Sequence, residues 1–360
     1  MRVVVATDRY PALSSAQAGA AMATAWAELG AEVAVVPLGN ALEGFQQALA
    51  DLLAASDDLI VTEHGPATVV EAETAEGLVL AIRPEHEPAG QGINTEATSA
   101  AVGHLLRTIV DTARGRAEVA RIILEVGDRP SHDGGAGLLA ALGASADRPL
   151  DQGVRALAGI TTANLSPAVE WLGGTELVLV APAGEEARHL VGLRGLTSVR
   201  GHAIGLDPAM LLATDQSLVD LAGAIDRKAA STTAGAGAGG GLGFAVLALG
   251  GRVVTGAAYG RDLAGLSSTV ARSDLVVTGG GQLDFGTMGG DVLATVLAVA
   301  TEALRPVVVV AEHNFISSRE LRSIGVESAY SVRTDPTDQT PVDAGELLEA
   351  VRPVAASWTW

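Results

Sequence analysis

The chain contains no cysteine and a single lysine, Lys228, among its 360 residues. Without cysteine there can be no disulfide, no thiolate nucleophile and no sulfur-ligated zinc. Aromatic residues are 3% of a composition that is 48% hydrophobic, so Ala, Val and Leu, with 44 Gly, must build the interior. Small side chains of that kind suit close packing of helices on sheet. No uninterrupted apolar run approaches the ~18 residues that a membrane span requires. The opening residues also lack the basic, apolar and small-residue segments of a signal peptide, and a cytoplasmic protein is expected. Positive charge is scarce: 23 Lys+Arg stand against 42 Asp+Glu, a net −19. That balance argues against partners that are polyanions, whether nucleic acid or an anionic membrane.

What the chain does have is a succession of short apolar runs rich in Val and Ile. The clearest are residues 3–6, 32–38, 58–62, 78–82, 121–126, 176–181, 274–278 and 306–312. Between them lie Ala-rich stretches with helical periodicity, at 15–29, 95–114, 138–142 and 291–304. Continuous apolar strands alternating with helices predict parallel sheet covered on both faces, an α/β fold. The length predicts about two domains. Such sheets bind ligands beyond the C-terminal ends of their strands, where Asp8, the segment 279–284 and Glu312 fall. Two stretches break the alternation. Residues 83–94, with Glu85, His86 and Glu87, read as an exposed loop, and 231–243 is a Gly/Ala/Thr run that feeds an apolar segment.

Three loops carry candidate chemistry. Gly235-Ala236-Gly237-Ala238-Gly239-Gly240 satisfies G-x-G-x-x-G, but the polar residues before it do not form the strand that a dinucleotide fingerprint needs. It reads either as a backbone cradle for phosphate or as glycines required for backbone packing. Ser131-His132-Asp133-Gly134-Gly135-Ala136-Gly137 follows a strand and precedes an apolar helix. Asp133 is there either a proton acceptor or metal ligand, or a helix cap. Gly279-Gly280-Gly281-Gln282-Leu283-Asp284 follows another strand, and Asp284 is either a functional carboxylate or a solvated loop residue. The seven histidines show no metal-binding spacing, no Gly-Lys pair allows a Walker A loop, and no G-x-S-x-G is present.

At these loops the sequence resembles the bacterial class I glycerate kinases. Ala6-Thr7-Asp8-Arg9-Tyr10-Pro11-Ala12-Leu13-Ser14-Ser15-Ala16 is similar to the family's A-P-D-S-F-K-G-S-L-S-A. Asp133-Gly134-Gly135-Ala136-Gly137, with Ala141-Leu142-Gly143, resembles N-D-G-G-A-G…A-L-G. Residues 235–243 resemble G-A-G-A-A-G-G-L-G. Leu275-Val276-Val277-Thr278-Gly279-Gly280-Gly281-Gln282-Leu283-Asp284, with Thr287 after it, resembles L-V-I-T-G-E-G-R-L-D and D-x-x-T. The polar positions depart from the pattern. Pro11 stands for a Lys, His132 for Asn, Gly280 for Glu, Gln282 for Arg and Asp291 for Lys, and the D-G-G-E-G loop survives only as Glu43-Gly44.

The resemblance implies two parallel-sheet α/β domains, one inserted in the other, the first flavodoxin- or Rossmann-like. Residues 1–62 with 272–360 would form the discontinuous domain and 63–271 the inserted one, with the site in a cleft between them. It implies ATP-dependent phosphorylation of glycerate or a related small hydroxy acid, with Mg²⁺, and leaves a homo-oligomer open. By the same resemblance Asp133, Asp8 and Asp284 are the catalytic carboxylates. Gly235, Gly237, Gly240, Gly241, Gly279, Gly281 and Thr287 would hold nucleotide phosphates, and Ser15, Glu43 and Arg194 the substrate. Phosphoryl transfer develops negative charge that cations stabilise. The loss of three motif cations therefore supports an alternative: a diverged, non-catalytic relative that binds a small ligand or a protein partner.

Overall fold

The computed structural model describes residues 1–85, 93–127, 129–203, 205, 207–225, 228–286 and 289–359. Its strands, in chain order, are β1 (Arg2–Thr7), β2 (Glu32–Pro37), β3 (Asp57–Thr62), β4 (Gly65–Thr74), β5 (Gly77–Pro84) and β6 (Val119–Glu125). They continue with β7 (Ser145–Ala146), β8 (Ala163–Asn164), β9 (Glu176–Ala181), β10 (Arg252–Thr255), β11 (Leu275–Leu283), β12 (Val307–Asn314) and β13 (Ser328–Ser331). Two compact units result, Met1–Ser56 with Gly256–Trp360, and Asp57–Thr255.

The first unit is a five-stranded sheet in the order β13-β12-β11-β1-β2, every pair parallel. Alternate residues of one strand serve opposite faces. Val4 and Ala6 pack with Val276, Val307 and Val309 beneath the helices Gly256–Leu263, Leu266–Ala271 and Gly290–Glu302. Val3 and Val5 pack with Leu275, Val277, Val308 and Val310 against the helices Ser15–Ala27 and Ala344–Trp358. Burial on both faces is why these strands read as unbroken apolar runs. Numbered within this unit the order is 2-1-3-4-5, the flavodoxin-like order, and its switch point lies between β1 and β11.

The second unit has a six-stranded sheet in the order β10-β9-β6-β5-β4-β3 and a two-stranded pair, β7 with β8. β5, β6, β9 and β10 are parallel, as expected, but β3, β4 and β5 form an antiparallel meander. The two links between those strands are two residues long, and a connection that short joins only antiparallel neighbours. β4 escaped the sequence reading because Glu and Thr interrupt its apolar positions. β3, grouped by sequence with the first domain, pairs with β4 from Asp57↔Val70 to Thr62↔Gly65 and so belongs to the second sheet. Conversely Ala257, Leu266 and Val270, placed by sequence in the inserted domain, are buried in the core of the first unit. Among the described residues no helix is long and apolar enough to cross a membrane.

Candidate functional site

Asp8 is the first residue beyond β1, at the switch point of the flavodoxin-like sheet. Thr7 Oγ1 and Asp8 N–H both donate to Gly279 O, at 2.6 and 2.9 Å, which fixes where the chain leaves β1 relative to β11. Tyr10 is fully buried and donates its phenol to Val310 O at 2.6 Å. That bond anchors the turn closed by reciprocal Tyr10 and Leu13 backbone bonds. Ser14 then caps the helix Ser15–Ala27 in a capping box with Gln17.

The Asp8 carboxylate accepts from Arg9 N–H at 2.8 Å on Oδ1 and from Asn40 Nδ2 at 2.7 Å on Oδ2. Asn40 opens the tight turn after β2, where Glu43 N–H returns to Asn40 O. Burial pushes the Asp8 pKa up to about 7, and the negative charge of Glu43 adds to the rise. The Arg9 N–H and Asn40 bonds pull the other way without cancelling it.

A cavity of about 440 Å³ opens beside Asp8. Asp8, Glu43 and residues 278–283 line it, together with Gly289, Gly290 and Leu293 from the start of the helix Gly290–Glu302. The sequence treated 279–281 as a loop, but the structure continues β11 through Leu283, pairing Gly279 with Val310 and Leu283 with Asn314. A Cβ on Gly279 would stand 1.9 Å from Val310 O and 2.6 Å from Tyr10 Oη. Glycine is thus required there by the neighbouring backbone and the buried Tyr10.

Of the residues singled out by sequence, Asp8, Glu43, Gly279 and Gly281 line this one cavity. Ser15 is buried in its helix and Asp284 accepts from Gly286 N–H at 2.7 Å; neither is among the lining residues. Thr287 lies outside the described residues, as does most of the loop expected at 83–94, including His86. Pro11 and Gln282, two of the positions with lost cations, are part of the lining, and among the described residues Arg9 is the one Lys or Arg in it. Asn40 and Thr278 were missed. Their signal was position alone, past the end of β2 and within β11. Asn40 Oδ1 and Thr278 Oγ1 are both buried without a hydrogen-bond partner among the described residues.

The remaining candidates lie in the second unit. Asp133 is 0% exposed and receives five hydrogen bonds. The donors are the N–H groups of Ser99 (2.7 Å), Gly135 and Gly137 (both 3.1 Å) and the hydroxyls of Ser99 (2.9 Å) and Thr98 (3.3 Å). Burial pushes its pKa up, against the pull of the Ser99, Gly135 and Gly137 donors. Oδ2, which takes four of the five, ties the start of the helix Ala100–Arg114 to that of Ala136–Ala141, and Oδ1 accepts from Gly135. His132 is buried against Thr197, and burial holds its pKa down at about 3.

The segment 235–243 packs backbone to backbone on the loop that carries Asp133. A Cβ on Gly240 would lie 2.0 Å from Ser131 O, one on Gly241 2.4 Å from Gly134 Cα, and one on Gly237 2.3 Å from His189 O. Gly235 would meet Val253 at 2.8 Å. Gly239, Gly240 and Gly241 all have positive φ, a left-handed run that side chains resist. Of the two readings of these glycines, the geometry matches close packing. Arg194 is exposed. Among the described residues no group of three or more His, Cys, Asp or Glu could hold a metal ion.

Comparison with known proteins places this geometry in context. The model of the glycerate kinase family matches residues 3–358. A protein of Mycobacterium bovis described as uncharacterized is 31% identical over 353 residues, covering 92% of this chain and 84% of its own. A glycerate kinase of Bacillus subtilis is 26% identical over 389 residues, covering 99% and 97%. A glycerate 2-kinase of Escherichia coli is 24% identical, covering 93% and 91%. A crystal structure described as that of a candidate glycerate kinase 2 from Salmonella typhimurium LT2 superposes with a TM-score of 0.75 at 25% identity, covering 99% and 98%.

Proposed function

The chain belongs to the glycerate kinase family, and from that premise we propose that it transfers the terminal phosphoryl group of ATP to a hydroxyl of glycerate or a related small hydroxy acid. The observation that carries this reading is Asp8, a carboxylate at the sheet's switch point, beside a cavity, with its pKa pushed up to about 7. A base with that pKa is half ionised at neutral pH and can take the proton of an attacking hydroxyl. The rest of phosphoryl transfer is positioning and charge.

The lining suits the expected groups. Mg²⁺ is held by one or two carboxylates with phosphate oxygens and water, and Glu43, the lining carboxylate that the base role of Asp8 leaves free, would supply such a donor. When bound, the ion would neutralise charge developing on the phosphate. Each Asp8 oxygen accepts one protein hydrogen bond and keeps a lone pair for a further ligand. The glycine wall at 279–281 lets a phosphate approach the backbone, and the unpaired Thr278 hydroxyl is a donor within the same wall.

A second reading is favoured by a specific observation: Pro11 and Gln282 line the cavity, leaving Arg9 as its single cation among the described residues, against Asp8 and Glu43. A wall this poor in positive charge suits a diverged member that binds a ligand without turning it over. One experiment separates the two. The full chain is given Mg-ATP and glycerate, ADP release is followed, and thermal stability is measured with and without Mg-ATP. Turnover that Asp8→Asn abolishes supports the kinase. A Mg-ATP thermal shift without turnover supports the non-catalytic binder, and neither shift nor turnover removes the kinase reading.

A further inference from the structure

The second unit holds a buried cation that the reading above does not use. Arg129 stands four residues past β6, at the C-terminal edge of the parallel run β5, β6, β9 and β10. That edge is where α/β sheets receive ligands. Arg129 is only 6% exposed. Its Nη2 reaches Pro84 O at a long 3.4 Å, and its Nε–H has no partner among the described residues. Burial draws its pKa down to about 10, and among the described residues no charge offsets the fall.

Two residues later Ser131 is 4% exposed, and its Oγ is likewise unpaired among the described residues. Its carbonyl is already occupied by Arg200 Nη1 at 2.9 Å, and Gly240 packs against it, so the segment is held in place. A guanidinium withdrawn from water without a counter-charge is costly, and unpaired buried polar groups in folded proteins commonly mark an absent ion or ligand. Two unsatisfied donors within three residues, one of them charged, therefore call for an acceptor carrying negative charge.

We propose that Arg129 and Ser131 form a receiving site in the second unit for a small oxyanion, a carboxylate in preference to a phosphate. The planar guanidinium fork matches the two oxygens of a carboxylate. The Ser131 hydroxyl is the second donor. The site is independent of the reading proposed above, because it requires neither Asp8 nor phosphoryl transfer.

Thermal unfolding of the full chain tests this in chloride buffer of fixed ionic strength, titrated with acetate, glycerate or inorganic phosphate. The parent, Arg129→Met and Ser131→Ala are compared. The parent is expected to gain several degrees, saturably, as carboxylate rises to ~100 times its Kd. Arg129→Met is expected to show no such gain. Without added oxyanion it should be at least as stable as the parent, because a desolvated charge is removed while the apolar stem is kept. Ser131→Ala is expected to weaken the apparent Kd several-fold, and it carries the comparison if Arg129→Met does not fold. A phosphate response stronger than the carboxylate response, lost in Arg129→Met, would overturn the stated preference. A response that persists in both variants, or no response in the parent, would overturn the site.

Discussion

Asn40 donates its side-chain N–H to Asp8 Oδ2 at 2.7 Å, joining the loops that leave the adjacent strands β1 and β2. Because β1 and β2 are parallel neighbours, both loops emerge at the same edge, and a short amide reaches a short carboxylate. The bond lowers the Asp8 pKa, while burial and Glu43 raise it. Together with the Arg9 N–H bond and the Arg9 charge, which also lower it, these leave the carboxyl titrating near neutrality.

Removing that donor should therefore move a pH profile. In Asn40→Ala the Asp8 pKa should climb above about 7. If Asp8 is the base, the acidic limb of the rate profile shifts to higher pH by roughly half to one unit. Initial rates from about pH 5.5 to 9 would show it. An unshifted acidic limb would take Asp8 out of the proton transfer.

Asp8 also links stability to pH. Its folded pKa lies above the ordinary 3.8, so the folded state binds the proton more tightly than the unfolded chain. The stabilising contribution is full below 3.8 and is lost as pH rises through about 7. Asp8→Asn does not titrate, so it should be about 1–3 kcal/mol more stable than the parent near pH 8.5, the gap closing toward pH 4. Urea unfolding at a series of pH values measures the gap. A constant difference between the two proteins would show that burial has not shifted this group.

Asp133 should behave as a structural acceptor. In Asp133→Asn one oxygen becomes an N–H₂ group facing donors, inside a site that is 0% exposed. The expected loss is about 2–4 kcal/mol, with Ser99→Ala costing less because it removes one hydroxyl. Denaturant midpoints decide the matter. A variant of parental stability that has lost only turnover would return Asp133 to the catalytic role.

The glycine-rich segment permits a similar separation. Gly240→Ala meets Ser131 O at 2.0 Å and needs positive φ, whereas Gly250→Ala needs positive φ but has nothing within 4 Å. Gly250→Ala should cost about 1 kcal/mol and Gly240→Ala several-fold more, or prevent folding. If these glycines instead cradle phosphate, Gly240→Ala would weaken Mg-ATP binding at nearly unchanged stability.

Charge restored to the cavity wall should favour turnover. Pro11→Lys with Gln282→Arg puts two cations where the lining now has neither. Added near developing negative charge, they are expected to raise kcat about 10- to 100-fold, or to create measurable turnover where the parent has none. They should also lower the Asp8 pKa, visible as an acid-shifted profile. No change in rate or profile would mean that neither side chain reaches the reacting groups.

Much of the fold was legible in the residue order. Val3 and Val5 face one core and Val4 and Ala6 the other, so β1 had to read as an unbroken apolar run. Strands shared with polar surroundings, such as β4 with its Glu71 and Glu73, carried no such run. Residues 279–281 were read as a loop because glycine is a poor strand former. β12 nonetheless supplies the pairing partners, and its carbonyl at Val310 leaves no space for a Cβ on Gly279.

By itself the sequence determined the α/β class, the family's glycine framework and the poverty of cations at Pro11, Gln282 and Asp291. These are properties of composition and local pattern, which survive without knowledge of neighbours. Only the tertiary structure decided which carboxylate faces a cavity. Asp8 and Asp133 both sit in segments that follow strands. Yet Asp8 lines open space with one donor on each oxygen, whereas Asp133 is fully buried and takes four of its five donors, all within its own unit, on Oδ2 alone. Three of those five come from Thr98 and Ser99, more than thirty residues away along the chain. A carboxylate's availability depends on which distant groups fold against it, and that is set by packing rather than by its own motif.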